Sequence, residues 1–164
     1  LRAGALLAVD IFRDTAATRL ILWQPVGSGQ TMLTQFLRIR VAAGLMGAEK
    51  ETTKGLREDW IAGRSVEVAG YEVHPELAAA IDGLSLATMA PAAGTRVDWC
   101  EIGDAERGLS PASERILDAW KQVGVEASPH ICPGESFWTI QETTVAPALI
   151  ERTIALLSGT EARA

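Results

Sequence analysis

A chain of 164 residues, 48% hydrophobic and 22% charged, has the composition of one globular domain with a sizeable core. Its net charge of −6 argues against nucleic acid and anionic membrane surfaces as main partners. No run reaches the roughly 20 apolar residues of a membrane span, and the first dozen residues lack the basic lead and cleavage site of a secretory signal.

Residues 1–14 read as a helix with Leu6, Leu7, Val9 and Ile11 inward, broken at Asp14 and Thr15. Arg19 to Pro25 is a short apolar run closed by proline, the pattern of a strand buried on both faces. The loop Val26-Gly27-Ser28-Gly29 follows at the carboxyl end of that strand. Ligand crevices of open α/β sheets lie there, so Ser28 is a candidate crevice residue; glycine and serine are also what a tight turn requires. Residues 30–47 form an amphipathic helix on Leu33, Phe36, Leu37, Val41 and Leu45, with Arg38 and Arg40 as solvated charges beside that stripe. Residues 49–62 continue as a charged helix anchored by Leu56, Trp60 and Ile61.

Alternation of apolar and polar residues on both sides of Ala69-Gly70 then predicts a small hairpin over residues 65–74. Pro75 opens a helical turn to Ile81, and His74 beside the hairpin reads as a surface residue. Arg96 to Ile102 is the next core strand, followed by the polar loop Gly103 to Leu109. Ser110-Pro111 starts a helix with Ile116, Leu117, Trp120 and Val123 buried, and Gly124 ends it. Val125 to Cys132 is the last strand, Pro133 to Trp138 a loop. Pro147 opens or kinks a final helix carrying Leu149, Ile150, Thr153, Ile154 and Leu157. Buried strands separated by helices predict a parallel α/β sheet. Residues 30–90 are too long for one crossover and read as a lid (cap) inserted between residues 1–29 and 91–164, packing over the strand ends.

Several strings give this order a resemblance. Leu1-Arg2-Ala3-Gly4 matches the last four letters of the G-x-S-x-G elbow of α/β-hydrolases, with Arg2 at the nucleophile position. Leu22-Trp23-Gln24-Pro25-Val26 and Leu33 to Arg38 resemble the second of the hydrolases associated with the exosortase A system. So do Gly70-Tyr71-Glu72, Leu109 to Ser113, Pro133-Gly134 with Phe137-Trp138, and Pro147 to Ile150. The resemblance runs in order along the whole chain. It implies a bacterial cytoplasmic protein of the α/β-hydrolase superfamily, acting on an ester or other acyl bond within a system that exports polysaccharide. It also implies that the early strands of the sheet are missing, so the chain alone is expected to be aggregation-prone. The resemblance names neither the substrate nor the oligomeric state.

A hydrolase triad needs nucleophile, acid and histidine in that chain order. Arg2 cannot attack a carbonyl; at a helix N-terminus it could bind an anion, or be an exposed arginine of no consequence. Asp104 and Glu106 hold the acid position, either orienting a histidine or forming a solvated loop. Glu135-Ser136, before Phe137-Trp138, hold the histidine position, where no histidine stands; Trp138 is a candidate crevice residue. His130, within the last strand, is either the base or a half-buried strand residue. The rival function is a non-catalytic relative that binds through its crevice or lid. Cys100 and Cys132 read as small buried thiols in a reducing cytosol. Two histidines and two cysteines without ligand-like spacing, and no glycine-rich phosphate loop, give no metal and no cofactor.

Overall fold

The computed structural model describes residues 1–12, 15, 18–44, 51–139 and 144–159. Its elements in chain order are α1 (Ala3–Phe12), β1 (Arg19–Trp23), α2 (Gly29–Gly44), α3 (Thr53–Ile61), β2 (Val66–Val68), β3 (Tyr71–Val73), α4 (Pro75–Asp82), β4 (Arg96–Ile102), α5 (Pro111–Gln122), β5 (Glu126–Cys132) and α6 (Pro147–Ser158). They divide into two units, residues 1–25 with 86–164, and residues 26–85. The expected helix break at Asp14 and the stretch from Leu45 to Lys50 lie outside the described residues.

The first unit is built on a three-stranded parallel sheet in the order β1-β4-β5. Side chains alternate across it. One face carries Ile21, Trp23, Cys100, Ile102 and Cys132, which pack with Leu149 and Leu156 of α6, and the Trp23 indole N–H donates to Thr153 Oγ1 at 2.9 Å. The opposite face carries Trp99, whose ring meets Trp120 of α5 edge-on at 5.8 Å. The Trp120 N–H donates to the Leu86 and Met89 carbonyls at 2.9 and 2.7 Å. Glu101 on that face is buried and takes the Trp99 N–H at 2.8 Å and the Ser113 hydroxyl. Ser110 caps α5 through the Ser113 N–H, and proline fills its first position.

The central strand β4 is sealed on both sides, but the two outer strands end differently. The Arg96 N–H bonds the Thr18 carbonyl and the Gln24 N–H the Cys100 carbonyl. The even positions of β1 therefore face β4, and Arg19, Ile21 and Trp23 turn their backbone outward. On β5, the Glu126 N–H bonds Thr95 and the Cys132 carbonyl takes Gly103, so residues 127, 129 and 131 face outward. Of these, Pro129 has no N–H and Ala127 donates to Val125. A proline facing the open side is the tolerated place for it in a sheet.

Some inward assignments change. Leu7 and Ile11 of α1, Val123 after α5, and Ile150, Ile154 and Leu157 of α6 are exposed. A helix with apolar residues on two adjacent stripes does not say which stripe meets the sheet. In α6 the inner stripe is Leu149, Thr153 and Leu156, one residue back from the exposed one.

The second unit packs α2, α3 and α4 with the antiparallel β2–β3 hairpin. Its core is Leu33, Leu37, Leu56, Trp60, Val66, Val68, Val73 and Ala78. Ile61, an expected anchor, is exposed because it lies one position past Trp60 at the end of α3. At Gly29 the start of α2 touches the end of α4. Its N–H donates to the Leu84 carbonyl at 2.9 Å, and a Cβ there would lie 1.6 Å from the Ile81 oxygen. Among the described residues no helix is long and apolar enough to cross a membrane.

Candidate functional site

The carboxyl edge of the sheet in the first unit brings together two of the residues singled out above, Arg2 and Trp138. Arg2 has φ 50°, a left-handed conformation that a non-glycine residue adopts rarely. It stands one residue before α1, and its N–H donates to the Trp23 carbonyl at 3.0 Å, at the end of β1. The next strained residue is Gln24, φ 42°. Its Oε1 accepts the Ile102 N–H at 2.7 Å, so the ends of β1 and β4 are tied together by a side chain.

From the other side of the edge comes the loop after β5. Phe137–Thr139 forms one 3-10 turn, and Phe137 meets Trp138 edge-on at 5.3 Å. The Arg2 guanidinium lies over the Trp138 ring, 5.0 Å from its centroid. Such a contact stabilises a cation by roughly 0.5–2 kcal/mol. Burial lowers the Arg2 guanidinium from its ordinary value, yet guanidinium remains protonated in proteins. Arg2 and Trp138 thus meet, though 136 positions apart in sequence.

The other candidates do not join them. Asp104 and Glu106 are exposed, and the Asp104 carboxylate is turned back on its own loop, accepting the Glu106 N–H at 3.0 Å. Glu135 and Ser136 are exposed, and their carbonyls close the 3-10 turn through the Phe137 and Thr139 N–H groups. Ser28, in the second unit, accepts the Thr31 N–H at 3.2 Å and donates to the Thr31 hydroxyl at 2.9 Å; it is engaged at the start of α2. His74 caps α4, its Nδ1 accepting the Glu76 N–H at 3.4 Å.

His130 has an acid, and it is Asp98. The two lie diagonally across β4 and β5 on the α6 face, with Nε2 3.1 Å from Oδ1. Asp98 is fully buried. It also takes the Arg19 Nε–H at 2.8 Å and lies 3.5 Å from Arg96 Nε. Arg19 Nη2 is 2.7 Å from the same oxygen but makes no hydrogen bond, so that contact is purely coulombic. Level with His130 on β4 is Cys100. Burial first, then Cys132 and Asp98, push its thiol up to about 12. Only about one in 10⁵ is then ionised at pH 7, the opposite of an activated nucleophile. Cys132, raised by burial as well, sits diagonally from Cys100 across β4 and β5. Both thiols are buried and free. No cluster of three or more metal-ligating side chains occurs among the described residues.

The chain matches no protein-family model, no curated protein and no solved structure.

Sequence reasoning did not single out Asp98. Its one signal is a carboxylate in the middle of an apolar strand, a placement that demands a partner. Naming that partner requires the register that puts Arg19 and His130 two positions away on either neighbouring strand.

Proposed function

We propose that the chain is an α/β-hydrolase-like protein, related to the second of the hydrolases associated with the exosortase A system, that binds a ligand without cleaving it. In this reading residues 1–29 and 91–164 are its sheet core and residues 30–90 its lid. The compartment is the reducing cytoplasm, where Cys100 and Cys132 stay thiols. The observation that carries the reading is Arg2. It has the left-handed backbone of an elbow residue at the junction of sheet edge and helix, and it bears a side chain that cannot lose a proton at neutral pH.

A working hydrolase is the competing reading, and the His130–Asp98 contact is its support. General-base catalysis needs that imidazole within hydrogen-bond reach of a nucleophile. The strand neighbour level with it is Cys100, whose thiol is held protonated. Incubation of the full chain with a serine-directed fluorophosphonate probe separates the two. No labelling is expected. Covalent labelling at Ser28 or Ser136 that disappears in His130→Ala would overturn the binding reading and make His130 the general base.

A further inference from the structure

The second unit contains a half-open pocket of about 230 Å³ between α2, α3 and α4. Leu33, Trp60, Ile61, Pro75, Ala78 and Ala79 form its apolar lining, with Arg57 and Asp82 at one end. Two struts hold it open. At one end the Trp60 indole N–H is fixed on the Val73 carbonyl at 3.0 Å, so the ring cannot swing in to fill the space. At the other the Arg57 guanidinium spans all three helices. It donates to Asp82 Oδ1 at 2.8 Å, to the Gln30 carbonyl at 2.9 Å and to Thr34 Oγ1 at 3.1 Å. The contact of Gly29 with the Ile81 carbonyl fixes α2 against α4 beside it. A pocket set by hydrogen bonds in the free protein loses little ordering entropy when it is filled.

We propose that this pocket is a binding site for a small, neutral, largely apolar molecule: a single ring, or a branched chain of similar size, carrying one uncharged hydrogen-bonding group. Size follows from volume. An apolar cavity of about 150 Å³ holds benzene, so this one takes a ring with a short substituent. Neutrality follows from the rim. Arg57 and Asp82 cancel each other, and a charged ligand would give up its hydration for a pair already satisfied. The polar group has a place to go, because the mouth of the half-open pocket is in contact with solvent beside the exposed Asp82 end. The proposal is independent of the reading of Arg2, and its test does not involve the sheet.

The test is titration of the full-length chain with benzyl alcohol, benzoate and benzylammonium, followed by the indole N–H resonance of Trp60 and the methyl resonances of Ala78 and Ala79. Benzyl alcohol is expected to shift these signals saturably, with the two charged analogues about tenfold weaker or more. Ala79→Phe, at an exposed position of the lining, places a ring in the mouth without touching the core. It is expected to weaken benzyl alcohol at least tenfold while leaving the Trp99 and Trp120 signals in place. Absence of a saturable shift, equal binding of the charged analogues, or unchanged binding in Ala79→Phe would each overturn the proposal.

Discussion

Asp98→Ala tests whether the buried cluster on the α6 face stabilises the sheet as a unit. The carboxylate is completely buried, whereas its partners are reached by solvent to different degrees: Arg96 is 49% exposed, Arg19 27% and His130 13%. Arg96 can return to water at little cost and adds almost nothing. Arg19 and His130 each lose one hydrogen bond to a charged group, about 1.5 kcal/mol apiece at the lower end of the usual range. The expected loss is therefore about 3 kcal/mol, at the bottom of the range for breaking a buried pair. With a urea slope of about 2 kcal/mol/M, the unfolding midpoint falls by about 1.5 M. Asp98→Asn keeps one acceptor and is expected to lose about half as much. The decisive comparison is a cycle in an Arg19→Leu, His130→Leu background, where Asp98→Ala should cost little because no partner remains. A loss below 1 kcal/mol in the native background, or the same loss in both, would refute the reasoning.

Because the Cys100 thiol is raised to about 12 in the folded chain against an ordinary 9.0, the folded state holds its proton longer than the unfolded one, so the stabilisation is complete below pH 9 and lost as pH rises from 9 towards 12. Urea melts across that window should show a steeper alkaline decline for the native chain than for Cys100→Ala; parallel declines would contradict the assignment. Gly29→Ala should cost at least about 2 kcal/mol, since its Cβ would meet the backbone oxygen of Ile81 and no rotamer relieves that. Gly4→Ala, with nothing within 4 Å, is the control and should be neutral or gain up to about 1 kcal/mol as a helical position.

The strands were the most legible part of this chain. Arg96–Ile102 appears with the bounds its apolar run predicted, and the hairpin appears around Ala69-Gly70. The parallel order of the three core strands also follows the helix-strand alternation. β4, buried from Val97 to Glu101, writes its burial into nearly every residue and leaves no choice of face, whereas β1, expected to be buried on both faces, is mostly half-buried at the edge of the sheet. Helices leave that choice open, which is why the expected stripe mixed Leu149 and Thr153, which meet the sheet, with Ile150, Ile154 and Leu157, which do not. The Arg2–Trp138 contact joins residues 136 positions apart and has no local pattern at all. Asp98 was visible as a residue but not as a cluster, because its partners become neighbours only once β1 and β5 are placed on either side of β4.

The two edges of the three-stranded sheet differ in what they offer a further strand. On β5, proline at 129 and the local bond of Ala127 leave Ile131 as the one outward N–H, too little to template another strand. On β1, Arg19, Ile21 and Trp23 turn outward, and the Trp23 carbonyl takes the Arg2 N–H. Polymerisation by strand addition requires two competent edges, one to receive and one to offer. The β5 edge, broken at residues 127 and 129, is a poor one, which works against propagation through this sheet.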